Sequence, residues 1–196
     1  MEEQDQVVAR RTKLAELRTL GCAAYPNDFR PRDTAAELTA RYGVTPAEDL
    51  EATPVPVALA GRLMALRDFG KAAFVQLQDR SGRLQVYVKQ DEVGAQDFAV
   101  FRQLDLGDIA GFEGRLFRTR TGELTVLAAA VRYLAKALRP LPAKWHGLQD
   151  VELRYRQRYL DLLANPDVQR VFRTRAEVLH SLRQFFVGRG FLEVET

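Results

Sequence analysis

The stretch that most limits what this chain can become runs from Val57 to Val88. Val57 to Arg67, Phe74 to Gln78 and Arg83 to Val88 each show the period-2 apolar pattern of a half-buried strand. Val75 and Leu77, then Leu84, Val86 and Val88, make up the inward set. Asp79 to Gly82 supplies the turn chemistry of a hairpin between the last two strands. In the first strand the apolar phase runs Val57, Leu59, Leu63 and then slips to Met64 and Leu66. Gly61 lies just before the slip, where a bulge or tight coil is cheapest. A strand that changes face midway suits a small closed barrel.

The same alternation defines an outward face of Phe74, Gln76, Gln78, Arg83, Gln85 and Tyr87. An aromatic platform beside amides and a guanidinium can stack an unpaired base and read its edge. A solvated face with a scattered Phe and Tyr accounts for the same pattern, and for the pattern alone it is the commoner outcome.

Ala95 to Leu104 follows as a helix with Phe98, Phe101 and Leu104 on one stripe, fit to plug a barrel end. Ile109 to Phe117 and Glu123 to Tyr133 form a second hairpin turning at Thr119 to Gly122. Three strands, a helix and two strands is the order of the OB-fold, a five-stranded barrel whose open face binds oligonucleotides. With Phe74 outward, that order favours nucleic-acid binding.

Upstream, residues 3 to 20 are expected to form a helix, with Val7, Leu14 and Leu17 on one side and Gly21 as its stop. Arg10, Arg11, Lys13 and Arg18 cluster along it, balanced by Glu2, Glu3, Asp5 and Glu16. Such a cluster is more often a solvated face than a binding site. Capping boxes at Thr34–Glu37 and Thr45–Glu48 open two short helices, the first closed by Gly43 and the second carrying Pro46 at its first position. The expected organisation is a helical extension over 1–56 and a barrel over 57–134.

Residues 135–150 change texture. Pro140 and Pro142 prevent a continuous helix, so this is an interdomain linker. His146 could be a ligand or an acid–base group, but with no Asp, Cys or second His at suitable spacing a packing or hydrogen-bonding role is the commoner one. Asp150 then caps a helix from Val151 to Ala164 that carries Arg154, Arg156 and Arg158. Asn165-Pro166 starts another, on which Val168, Val171, Phe172, Leu179, Leu182 and Phe186 keep helical spacing up to Gly190. Phe191 to Thr196 is expected to begin a strand. One apolar helix and one strand cannot bury their own faces, so the second domain, 151–196, is expected to be incomplete.

Composition sets the outer limits. The chain has 196 residues, 46% hydrophobic content and a net charge of +3, with only five lysines (13, 71, 89, 136 and 144). Its single cysteine, Cys22, excludes an internal disulfide and fits a reducing compartment. A catalytic thiol would have only His146 and His180 to work with. No signal peptide and no apolar run of membrane length are present, so the expectation is a soluble cytoplasmic protein.

One segment is specific. Lys136-Ala-Leu-Arg-Pro-Leu-Pro-Ala-Lys-Trp-His-Gly-Leu-Gln-Asp150, followed by Glu152-Leu-Arg-Tyr-Arg-Gln-Arg-Tyr-Leu-Asp-Leu162, resembles the linker and catalytic-domain entry of class II lysyl-tRNA synthetases. Tyr25-Pro-Asn-Asp-Phe29, Gly70-Lys-Ala-Ala-Phe74, Leu106-Gly-Asp-Ile109 and Thr121-Gly-Glu123 extend the resemblance over essentially the whole chain. Gly190-Phe-Leu-Glu-Val-Glu-Thr196 is similar to the first class II signature, which forms the dimer interface in the family. The two later signatures, which hold ATP and the adenylate, are not in this sequence.

The resemblance implies a mainly β fold with helices, in which N-terminal helices precede a five-stranded OB barrel and the beginning of a class II α+β catalytic domain. It implies that Arg67, Phe74, Gln85 and Glu123 read the anticodon of a lysine tRNA at its central uridine. The candidate dimer interface is Gly190, Phe191, Leu192 and Val194, and Arg10, Arg11, Lys13 and Arg18 are candidate tRNA backbone contacts. The whole enzyme would be a homodimer using ATP and Mg²⁺, whereas no catalytic or metal-binding residue is assigned within this chain. The chain alone is therefore expected to be inactive in aminoacylation. A stand-alone, non-catalytic RNA-binding module is the alternative. A single-strand DNA protein is disfavoured, because the linker has no role in it.

Overall fold

The alternating stretch folds as its pattern requires. In chain order the elements are α1 (Glu3–Thr19), α2 (Ala35–Tyr42), α3 (Ala47–Ala52), β1 (Pro56–Asp68), β2 (Ala72–Gln78), β3 (Arg83–Lys89), α4 (Gln90–Arg102), β4 (Ile109–Arg118), β5 (Leu124–Ala135), α5 (Val151–Arg156), α6 (Arg158–Ala164) and α7 (Pro166–Val187). The structure, a computed structural model, describes residues 3–141 and 148–195. Glu2, Pro142, Trp145, His146 and Thr196 lie outside the described residues. The chain divides into two units, Met1–Pro140 and Leu141–Thr196.

In the first unit the five strands close into a barrel in the order β1-β2-β3-β5-β4. All neighbours are antiparallel except β3 and β5, whose parallel ladder is Gln85–Tyr87 against Thr125–Leu127. The inward set is as expected: Val75, Leu77, Val86 and Val88 are at most 1% exposed, and Phe112, Leu116 and Val126 join them from β4 and β5. Burying side chains of this size yields roughly 1.5–3 kcal/mol each and makes the barrel the stable body of the unit. Phe98, Phe101 and Leu104 are buried as the end plug.

Several boundaries differ from the sequence expectation. The register break in β1 falls between Leu63 and Ala65, where the apolar phase slips as expected, and not at Gly61 just before it. Gly61 has another role: a Cβ there would lie 2.5 Å from the carbonyl oxygen of Gln78, so glycine lets β1 and β2 approach. The plug helix begins at Gln90 rather than Ala95 and is broken at Gly94, whose φ of 79° and ψ of 167° are non-helical. That conformation is open to glycine alone at low cost, which hides the extra turn from a periodicity reading.

Thr34 caps α2 through Glu37 N–H as expected, whereas α3 is capped by Pro46 with no side-chain hydrogen bond, so the second capping box does not form. The expected helix 151–164 is two helices, because Gln157 (φ −116°, ψ 60°) leaves helical geometry. Asp161, fully buried, accepts from Arg154 on one side of that break and from Arg158 and Asn165 on the other. Residues 191–195 form no strand. A strand needs a neighbour for its backbone groups, and none is present among the described residues.

The β2–β3 turn is organised by one carboxylate. Asp79 accepts hydrogen bonds from Ala35 N–H (2.7 Å), Ser81 N–H (2.7 Å), Ser81 Oγ (2.7 Å) and Gly82 N–H (2.9 Å), joining the start of α2 to the hairpin. Burial pushes its pKa up, but these donors outweigh that effect and hold it below the usual aspartate value. Asp79→Ala should therefore cost about 1–3 kcal/mol, the penalty for buried donors left unsatisfied. A carboxyl with a depressed native pKa stabilises the fold above its unfolded value, and that stability is lost as pH falls through the native one. Urea denaturation at neutral pH and at about pH 3 checks this. An equal deficit at both would show that the charged form is not what matters.

Candidate nucleic-acid interface

Outward-facing residues of β1, β2, β3 and β5 form one continuous band. Arg67 is the register partner of Phe74, Phe74 of Tyr87, and Tyr87 of Leu127. One rung along, Gln76 faces Gln85, and Gln85 faces Thr125. Alternation leaves Arg67 exposed and Phe74, Gln85 and Tyr87 half-buried, while Val75 and Val86 between them are sealed in the core. The face exists because the core does: every residue that turns Val75 inward turns Phe74 outward.

Four aromatic rings run across this band. Phe74 and Tyr87 are stacked, with centroids 4.5 Å apart and an interplanar angle of 26°. Phe69 meets Phe74 edge-on at 6.2 Å, and Phe117 meets Tyr87 at 6.1 Å and 49°. These spacings lie in the favourable range for aromatic pairs, so Phe74 is held in place by its neighbours before any ligand arrives.

The polar groups are held as firmly. Gln85 Nε2 donates to Thr125 Oγ1 at 3.0 Å, and Thr125 Oγ1 donates to the Glu123 carbonyl oxygen at 3.1 Å. Thr125 is fully buried, so the chain of bonds aims the Gln85 amide from below. One of the two amide N–H groups is engaged, which points the amide so that its oxygen is available to a ligand donor. Glu123 is exposed in the β4–β5 turn, where its N–H donates to Thr119 Oγ1 at 3.1 Å. Arg118 anchors that turn, donating to Gly122 O (2.5 Å), Thr45 O (2.6 Å) and Gly43 O (2.7 Å).

The structure thus brings Arg67, Phe74 and Gln85 onto one band, with Glu123 in the turn two residues before Thr125. The α1 cluster is less uniform. Arg10 donates to Leu106 O (3.0 Å) and Ala137 O (2.7 Å), and Lys13 pairs with Asp105 at 2.6 Å. Both hold α1 against the barrel, and only Arg11 and Arg18 are exposed. In the second unit, Phe191, Leu192 and Val194 are 63–85% exposed and, with Leu179, Leu182 and Phe186, line an apolar groove of about 420 Å³.

Sequence reasoning missed Phe69, Phe117 and Thr125. Phe117 had a readable signal, since it shares the outward phase of β4 with Arg115 on either side of buried Leu116. Thr125 had none, because the parallel β3–β5 pairing that sets it under Gln85 is not a local pattern.

Comparison with known proteins agrees with the barrel fold. Residues 57–134 match the family model of the OB-fold nucleic acid binding domain, and residues 150–196 match that of the class II tRNA synthetases (D, K and N). The two matches cover the barrel and residues 150–196. Over its whole length it is similar to lysine--tRNA ligases. It is 50% identical over 196 residues to that of Dechloromonas aromatica, covering 100% of this chain and 39% of the relative. It is 53% identical over 192 residues to that of Anaeromyxobacter sp. (97% and 37%), and 51% identical over 195 residues to that of Thiobacillus denitrificans (99% and 39%). The chain thus spans about two fifths of the length of the curated relatives it matches.

Proposed function

We propose that this chain recognises the anticodon of a lysine tRNA as part of a lysine–tRNA ligase. The observation that carries the reading is the fixed pair at the centre of the band: a preorganised Phe74 ring beside a Gln85 amide whose oxygen is left to accept. Stacking holds any unpaired base. Uridine presents an N3–H donor on its pairing edge, which suits that oxygen, whereas cytidine presents an acceptor at the same position. Arg67 adds a donor fork to the base carbonyls, and Glu123 an acceptor at the far side. Arg11 and Arg18 contribute phosphate contacts that position without specifying. Arg10 and Lys13 act through the placement of α1.

In this reading the protein works in the cytoplasm, and the apolar segment with Gly190, Phe191, Leu192 and Val194 meets a second copy in the whole ligase. That ligase would activate lysine with ATP and Mg²⁺ before transfer to tRNA. The described residues contain no group of three or more His, Cys, Asp or Glu able to hold a metal ion, so no step of that chemistry is assigned to them. Among the described residues, no helix is long and apolar enough to cross a membrane.

The test is titration of lysine-tRNA anticodon stem-loops with uridine or cytidine at the central position. Gln85→Ala should lower affinity by about 1 kcal/mol, one hydrogen bond, and remove most of the preference for uridine. Full discrimination in the variant would take the edge reading away from Gln85.

A further inference from the structure

The band does not end at Phe74. Phe69 sits in the turn between β1 and β2 and is 67% exposed, yet it is held rather than loose. Phe69 N–H donates to Ala72 O at 2.8 Å, and Asp68 accepts from Gly70 N–H at 2.8 Å while pairing with Arg102 of α4. The ring meets Phe74 edge-on at 6.2 Å, so the two planes stand at 88° and present separate faces. A large apolar side chain fixed in water at the rim of a binding face marks an interaction site better than a scattered surface residue does.

Its surroundings suit a polyanion. Arg67 and Lys71 are exposed on either side of the turn, and the one carboxylate between them, Asp68, is matched by Arg102. The turn therefore presents an aromatic face between two cations, the combination that tracks a single-stranded nucleic acid backbone while its bases stack.

We propose that Phe69 is a second stacking position, taking the unpaired nucleotide next to the one on Phe74. This rests on the reading of Phe74 given above and extends it: the face reads a run of at least two unpaired bases, not one. The perpendicular rings require the backbone to turn between the two nucleotides, which a splayed anticodon loop allows and a stacked strand does not.

The experiment uses the full chain and four ligands: the lysine-tRNA anticodon stem-loop intact, and the same RNA made abasic at the central position, at its 5′ neighbour, or at its 3′ neighbour. Phe69→Ala should bind the intact stem-loop about tenfold more weakly, the scale of one base–aromatic stack, and Phe69→Tyr should restore it. With one of the two neighbours abasic, Phe69→Ala and wild type should bind alike, while Phe74→Ala still loses affinity. Circular dichroism confirms that the exposed substitution leaves the barrel folded. If Phe74→Ala loses affinity but Phe69→Ala matches wild type on the intact stem-loop, or loses equally on every ligand, the second position is wrong and the first stands. If both variants bind as wild type, the whole face is misplaced.

Discussion

Phe74→Ala should bind a lysine-tRNA anticodon stem-loop about 1–3 kcal/mol more weakly than wild type, the range measured for single base–aromatic stacks. The value should fall toward the upper end, because the ring is fixed by Tyr87 at 4.5 Å and a base landing on it orders nothing new. The loss should be nearly independent of the central base, since every base has a π-face, in contrast to the selective effect of Gln85→Ala. Half-buried Phe74 also packs on its neighbours, so Phe74→Leu serves as a control that keeps apolar volume and removes the platform. Wild-type affinity in Phe74→Ala, or a loss shown by circular dichroism to be unfolding, would make Phe74 a packing residue only.

The largest effect on stability should come from a residue that is not part of that band. Lys136, with a side chain 1% exposed, reaches Asp108 at 2.6 Å, Asp105 at 2.7 Å and the Gln103 carbonyl oxygen at 2.7 Å. Asp108 is fully buried and also accepts from Asp105 N–H and Ala137 N–H. Lys136→Met leaves that carboxylate without its counter-ion, at a cost of about 3–5 kcal/mol, toward the lower end because two backbone donors remain. Adding Asp108→Asn removes the orphaned charge and should recover part of it.

Burial raises the Asp108 pKa even with Lys136 present. A raised native pKa means that the folded state binds more protons than the unfolded one above about pH 4, so stability falls as pH rises. Without Lys136 the native value climbs further, and the variant's deficit should be larger at about pH 7 than at about pH 5. Urea denaturation followed by circular dichroism measures both. A deficit under about 1 kcal/mol, the same at both pH values, would reduce the network to a surface ion pair.

The sequence made the barrel legible because alternation is local: Val75, Leu77, Val86 and Val88 declare their face without reference to anything distant. Phe74 and Gln85 were legible for the same reason, as the complement of that core. What was hidden depended on non-local or backbone terms. The kink at Gly94 depends on a positive φ, Gln157 departs from helix where charged groups converge on Asp161, and the roles of Arg10 and Lys13 depend on Leu106, Asp105 and Ala137, far away in sequence. The sequence favoured a solvated face for the α1 cluster, while the fold uses half of it as fastening.

The seam between β3 and β5 has a consequence for fidelity. It is a ladder of three pairs joining segments some 40 residues apart, and Gln85 and Thr125 stand on opposite sides of it. Phe74 and Tyr87, by contrast, lie within one hairpin and need no closure to meet. Closing a long loop costs entropy that a short parallel ladder repays poorly. A barrel opened along this seam would keep its stacking rings and lose its aimed amide. In the proposed reading it would still hold RNA, but it would accept cytidine as readily as uridine, so selectivity would vanish at a temperature where binding persists.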